Sequence, residues 1–208
     1  LISIFLISFI SLLLIAQPDI GQTLLVIFCW AVLIFTSGIN IYILLAIFIA
    51  GASLLTYLII YVPRFDYIQG RIFSFFNRET GTHNFQSDKA IESITSGGFF
   101  GKGIGEGVLK NRVPEAHTDY IISVISEEFG VVAIMLILLL FLILIYMVFK
   151  KISFETNDKV KLILIGSISL ILMQATIHIG VNIRLFPTTG MTLPFLSYGG
   201  SSIISTSI

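Results

Sequence analysis

The sequence predicts an all-α, polytopic transmembrane helical bundle with a long extracytoplasmic loop. Three observations carry this: 56% of the 208 residues are hydrophobic, only 12% are charged, and most of the charge lies in one stretch between apolar runs. A soluble domain carries roughly 25% charged residues, so lipid is the solvent for most of this chain. The formal net charge is zero. The sequence thus offers no basic excess for a phosphate backbone, which argues against nucleic acid as a partner. The single cysteine, Cys29, sits inside an apolar run and cannot form an internal disulfide.

A membrane helix needs about 20 mostly apolar residues. In chain order the candidates are Leu1 to Ala16 (partial), Ile20 to Thr36, Ile41 to Val62, Phe129 to Phe149, Leu162 to Ile183, and Leu193 to Ile208 (cut short). Pro18 and Asp19 break the first from the second, and Ser37 to Asn40 make a tight turn before the third. The first run has neither a basic leader nor a small-residue cleavage site, so it reads as an internal start. The last stops without cap, charge or proline. Truncation at both ends is the expectation, with residues 1–208 forming one membrane domain.

Of the 24 charged side chains, 14 lie between Arg64 and Asp119, seven of each sign. No span holds that many, so residues 63–118 form a solvent-side loop, and loops beyond about 15 residues are usually functional. The short connector with Lys150, Lys151, Lys159 and Lys161 against Glu155 and Asp158 is cytoplasmic by the positive-inside rule. Counting spans from it places the long loop outside the cytoplasm, although Arg64, Arg71 and Arg78 lie near a span.

The densest polar constellation is Pro114-Glu115-Ala116-His117-Thr118-Asp119. With Pro114 at the first helical position, Glu115 and Asp119 share a face. In an extended segment, 115, 117 and 119 share a side. Either arrangement gathers a base, a proton carrier or a metal ligand at the membrane surface, with Glu115, His117 and Asp119 as a partial oxygen-rich set that lacks a fixed fourth ligand. The plainer alternative is that Thr118 or Asp119 caps the next helix.

Polar residues also recur in the apolar segments. Ser123, Glu127 and Gly130, with Glu128 adjacent, follow helical spacing, and carboxylates in a membrane face a protein interior or a water-filled cavity. Gln174, His178 and Asn182 form a stripe at i, i+4 and i+8, which suits hydrogen bonding to other helices. The run Gly97 to Gly107 mimics a phosphate-binding loop but lacks the strand before it and the helix after it. Its glycines let it lie close to a membrane or to a ligand backbone. Ser197-Tyr198-Gly199-Gly200-Ser201-Ser202 permits close helix approach or a broken helix.

Several of these motifs together resemble the SEDS family (shape, elongation, division and sporulation). Val113 to Gly130, with PEAHTDY and SEEFG, resembles its signature loop. Phe186 to Ser202, FPTTGMTLPFLSYGGSS, resembles a second signature, and QPDIGQT at Gln17 to Thr23, the Gln86-Ser87 pair and GGFFGKGIGEG match in order. Ala116 and Thr192 look more like the cell-division branch than the rod-shape branch. His178 stands where Asn is usual, and Ser126 where Gly or Ala is usual. The similarity covers essentially the whole chain, equivalent to about the fifth to tenth spans of such proteins.

The resemblance implies a multi-pass protein of the bacterial inner membrane, a glycosyltransferase that polymerises lipid II into glycan strands for cell division. It implies a catalytic role for Asp119. Lys102, Lys110 and Arg112, or a divalent cation such as Mg or Mn, are then expected to neutralise the leaving diphosphate. Glu115 would raise the proton affinity of Asp119 by like-charge repulsion and His117 would position it. Glu127, Glu128, Gln174 and Ser197 are further supporting candidates. Implied partners are lipid II, the growing strand, a class B penicillin-binding protein and other divisome membrane proteins. A lipid transporter acting through Gln174, His178 and Glu127 near the bilayer midplane, and a noncatalytic division scaffold, are the rival readings.

Overall fold

The structure is a computed structural model that describes residues 2–17, 19–76, 82–108, 113, 115–200, 204 and 206. The described secondary structure is helical throughout: α1 (Ile2–Ala16), α2 (Ile20–Thr36), α3 (Ile41–Tyr61), a 3-10 turn at Pro63–Phe65, α4 (Asp66–Phe76), α5 (Thr82–Gly97), α6 (Ile121–Phe154) and α7 (Asp158–Asn182). Local chemistry sets the starts of the apolar helices. Asp19 accepts from Gln22 N at 2.9 Å to cap α2, Asn40 accepts from Tyr42 N at 2.9 Å to cap α3, and Asn157 accepts from Lys159 N at 3.0 Å to cap α7. Each satisfies a donor that the helix itself leaves open.

Helices α3, α6 and α7 are long and apolar enough to cross a membrane, and α1 and α2 are shorter apolar helices. Helix α7 packs on both α2 and α6, α1 packs on α2, and α5 lies along the start of α6. The buried apolar core joins α2, α5, α6 and α7 through Leu25, Ala90, Tyr120, Val124, Ile177, Val181 and Met191. Helices α6 and α7 are antiparallel about the turn near Glu155. Asp119 and Asn182 therefore meet at one end of the bundle, and Lys150, Lys151, Lys159 and Lys161 cluster at the other.

Three expectations are corrected. Residues 63–118 are not a plain loop, because α4 and α5 form within them. Polar α5 is held by tertiary packing, with buried Ser87, Ala90 and Ser93 toward the protein. The helix of the fourth expected span, α6, begins at Ile121, eight residues before Phe129, and breaks at Gly130, whose φ of 77° lies in the left-handed region. The segment Leu193–Gly199 is not helical despite its apolar composition. Instead the Leu193 N–H donates to Ser197 Oγ at 2.7 Å, and helix resumes at Gly200.

The break at Gly130 is filled by backbone from the glycine-rich run. The Glu127 and Glu128 carbonyls accept from the N–H groups of Lys102 (2.9 Å) and Gly103 (3.0 Å), while the Val131 and Val132 N–H groups donate to the carbonyls of Gly98 (3.0 Å) and Phe99 (3.3 Å). Residues 98–103 are thus spliced into the helix ladder between 127–128 and 131–132. A side chain at Gly101 would strike the Glu128 carbonyl, and one at Gly130 would strike the Phe99 carbonyl. The close approach expected of this run is made to the protein's own α6. In lipid, where water cannot rescue a broken ladder, such internal satisfaction is required.

Candidate active site

Asp119 lies just before α6, on a tight turn that begins at Glu115, whose φ of 54° is left-handed. The Asp119 N–H donates to the Glu115 carbonyl at 3.0 Å. Neither Thr118 nor Asp119 caps the helix: the cap position is Tyr120, with no side-chain capping bond. The capping alternative is therefore set aside, and the Asp119 carboxyl is left for another role.

Three consecutive carbonyls fix this turn from outside. His117 O accepts from Tyr198 N at 3.0 Å, Thr118 O from Ser197 Oγ at 2.7 Å, and Asp119 O from Asn182 Nδ2 at 3.0 Å. Each removes one freedom from the backbone that aims Asp119. The polar stripe on α7 continues the arrangement: His178 Nδ1 lies 2.7 Å from Met191 O, and Gln174 Nε2 donates to Thr192 O at 2.9 Å. Thus Gln174, His178 and Asn182 point inward, as their polarity demanded. Outside α7 their partners are groups of non-helical segments, chiefly carbonyls, rather than other helices.

The chain from Thr188 to Met191 lies over Asp119. Gly190 has a φ of 71°, and a Cβ there would stand 3.6 Å from Asp119 Oδ2. Gly21 of α2 makes room for the same segment, since a Cβ at Gly21 would stand 2.8 Å from Met191 Cγ. Two motifs far apart in sequence, around Gly21 and around Gly190, are thereby packed together beside the carboxylate.

Asp119 lines a cavity of about 190 Å³ together with Arg71, Gln86, Tyr120, Val181, Thr188, Thr189, Gly190 and Met191. Burial raises the Asp119 carboxyl above its ordinary value, and the negative charge of Glu115 raises it further; the neighbouring Thr118 hydroxyl and the charge of Arg71 oppose this. Arg71 Nη1 donates to Thr188 O at 3.2 Å. Among the described residues this bond uses one donor of a five-donor fork, and the others can meet an anion in the cavity. Thr189 Oγ1 is buried without a partner among the described residues.

Of the other candidate residues, Glu115 and His117 are exposed and do not line the cavity. Among the described residues no three His, Cys, Asp or Glu side chains come together to hold a metal. The Glu115, His117 and Asp119 set is therefore not assembled, because the left-handed turn at Glu115 leaves the first two in solvent. Lys102 lies 3.6 Å from the fully buried Glu127, which also accepts from Ser93 Oγ at 3.0 Å; this pair ties the glycine-rich run to α5 and α6. Glu128 Oε1 accepts from Gly105 N at 3.1 Å. Ser126 faces α5, its hydroxyl 3.4 Å from Ile94 O. Lys110 and Arg112 lie outside the described residues.

Sequence reasoning missed Arg71, Thr189 and Gly190 as site residues. Arg71 stood out only as a basic residue close to a span. Nothing local announces that α4 will deliver it to a turn 48 residues later.

Membrane-crossing helices with a carboxylate and a guanidinium lining one cavity at an end of the bundle define a polytopic membrane protein with a polar site at the membrane surface. The sequence matches the FtsW, RodA and SpoVE family, described as cell cycle proteins, over residues 1–208. The chain belongs to this family. It is 37% identical over 208 residues to a protein of Caulobacter vibrioides named probable peptidoglycan glycosyltransferase FtsW, covering 97% of this chain and 51% of that protein. Similarly named proteins of Francisella salina (39%, covering 94% and 49%) and Enterococcus hirae (32%, covering 98% and 54%) are also similar. A solved chain from work titled "Structural coordination of polymerization and crosslinking by a peptidoglycan synthase complex" aligns with a TM-score of 0.78 at 28% identity, covering 98% of this chain and 57% of that one. The chain spans about half the length of the curated relatives it matches.

Proposed function

We propose that this chain carries the catalytic portion of a glycosyltransferase that polymerises lipid II into peptidoglycan strands during cell division, at the outer face of the bacterial inner membrane. The observation that carries the reading is the Asp119 carboxyl, raised in proton affinity and lining one cavity with Arg71. An alcohol is a poor nucleophile at neutral pH, and a positioned base contributes about 10² to 10⁴-fold. Asp119 takes the proton of the acceptor sugar hydroxyl as that oxygen attacks the anomeric carbon of the donor. The C–O bond to the diphosphate breaks, and its electron pair leaves with the diphosphate.

Arg71, rather than Lys102, is the described cation placed to offset the charge that develops on that leaving group, since it lines the cavity and Lys102 is engaged by Glu127. Thr189 Oγ1 offers the substrate a hydrogen bond. Among the described residues no three His, Cys, Asp or Glu side chains meet, so a divalent cation such as Mg or Mn would be held by few protein ligands together with the substrate diphosphate, whose charge it would offset. The partner proposed is a class B penicillin-binding protein, which would cross-link the strand, within a wider set of division membrane proteins.

The transporter reading places its essential polar groups at the midplane. Gln174 and His178 instead direct theirs to the Thr192 and Met191 carbonyls, which favours catalysis. The test uses a full-length family member carrying this segment, purified into vesicles with lipid II. Glycan polymer should form without net lipid II translocation; translocation without polymer would overturn the proposal. Orientation is checked with a cysteine at position 84, which should react with a membrane-impermeant maleimide from outside the cell and not from the cytoplasm.

A further inference from the structure

The glycine-rich run also carries large apolar side chains that stand exposed among the described residues. Phe99 and Phe100 are 75% and 86% exposed, and Ile104 and Val108 are exposed as well. Their height along the bundle is fixed by the splice, because the carbonyls of Gly98 and Phe99 accept from the N–H groups of Val131 and Val132. Those two valines are the first residues of α6 after the Gly130 break. They are exposed, as are Met135 and Leu136 one turn on. The surface that begins at Val131 is the outside of a membrane-crossing helix.

We propose that Phe99 and Phe100 form an aromatic wedge seated in the headgroup and upper acyl region of the lipid bilayer, level with the start of the α6 span. The chemistry fits that medium. Two adjacent phenyl rings facing water would be costly, whereas large apolar side chains next to a polar backbone favour the membrane interface. Much of the turn's backbone is satisfied without water: the Gly98 and Phe99 carbonyls and the Lys102 and Gly103 N–H groups bond to α6, and the Gly101 N–H donates to Gly97 O. Lys102, two residues on, turns its ammonium toward Glu127 at 3.6 Å and so brings no uncompensated charge into the lipid. The apolar face of the wedge is continuous with that of α6. Lipid is the occupant that this continuity selects over water or a second protein.

A consequence concerns the site. The same run is bonded to α6 only a few turns from Asp119, so the wedge sets the depth of the cavity relative to the lipid surface.

The experiment is spin-label accessibility on the full chain in vesicles of phosphatidylethanolamine and phosphatidylglycerol. Labels are placed singly on cysteines at Phe99, Phe100, Val132 and Glu92, in a Cys29→Ser background. Labels at Phe99 and Phe100 should collide with oxygen over a water-soluble nickel chelate in a ratio close to that at Val132, and several-fold above that at exposed Glu92. A nickel-rich ratio like that of Glu92 would overturn the proposal, as would poor access to both reagents, which signals burial against protein. Should the labelled variants fail to fold, Phe100→Trp in a Trp30→Phe background keeps an aromatic side chain. Its emission should be quenched by lipids brominated near the headgroup, and unquenched emission would contradict the wedge.

Discussion

Asn182, at the end of α7, donates its side-chain amide to the main-chain carbonyl of Asp119 at 3.0 Å, across 63 residues of sequence. The same amide nitrogen also donates to His178 O at 2.9 Å. One side chain thus locks the last turn of α7 to the backbone that aims the carboxylate. Asn182→Ala takes the donor from a part-buried carbonyl, so a loss of about 1–3 kcal/mol in stability is expected. Catalysis should fall further than that loss accounts for, because the turn is no longer aimed. Thermal unfolding and kcat, measured on the same preparation, separate the two effects.

His178 calls for a milder outcome. Its Nδ1 meets Met191 O at 2.7 Å, while its Nε2 is buried with no partner among the described residues. An asparagine amide nitrogen stands about where Nδ1 stands, so His178→Asn should preserve the bond to Met191 O and dispense with the unpartnered Nε2. His178→Leu removes both and should destabilise by about 1–3 kcal/mol. A folded, inactive His178→Asn variant would show instead that the imidazole titrates or binds ligand.

The pH dependence of the reaction follows from the surroundings of Asp119. Burial and then Glu115 raise its carboxyl, and Thr118 and Arg71 lower it. A general base works when deprotonated, so the acid limb of kcat/KM marks its titration in the free enzyme. Glu115→Gln removes a raising influence and should move that limb to lower pH. Thr118→Val removes a lowering one and should move it to higher pH. Two shifts in the same direction would exclude Asp119 as the titrating base.

The splice at Gly130 allows strain to be separated from collision. Gly101, Gly105 and Gly130 all have left-handed φ, but a Cβ at Gly105 meets nothing within 4 Å, while one at Gly101 or Gly130 meets a carbonyl. Gly105→Ala should cost only the conformational penalty of about 1–2 kcal/mol. Gly101→Ala and Gly130→Ala should cost clearly more, read as a larger drop in melting temperature in detergent.

The spans were legible because apolar runs need no tertiary partner to declare themselves: Ile20–Thr36 forms as expected, and Ile41 to Val62 differs only at Val62, which serves as the cap. Helix α5 was not, since THNFQSDKAIESITSG is polar and becomes helical against α6. Leu193 to Gly199 misled for the opposite reason. Its apolar composition suggested a span, yet Ser197 Oγ takes the Leu193 N–H and at the same time holds Thr118 O. At the site, Asp119 was singled out by its motif. The polar stripe on α7 was visible from its spacing, but the carbonyls it serves come from elsewhere in the chain. Arg71 and the partner of the glycine run were invisible for the same reason: each depends on a long-range contact that no local pattern encodes.

The most direct test of the whole account is glycan polymerisation by Asp119→Asn in a full-length family member carrying this segment, with lipid II binding measured alongside. The substitution keeps the shape of the side chain and the bond from Asn182 to the main chain, and removes the negative charge together with the capacity to take up a proton. The account expects lipid II to bind with near-normal affinity and no polymer to form. Polymer at a near-normal rate would contradict it and remove Asp119 from the mechanism.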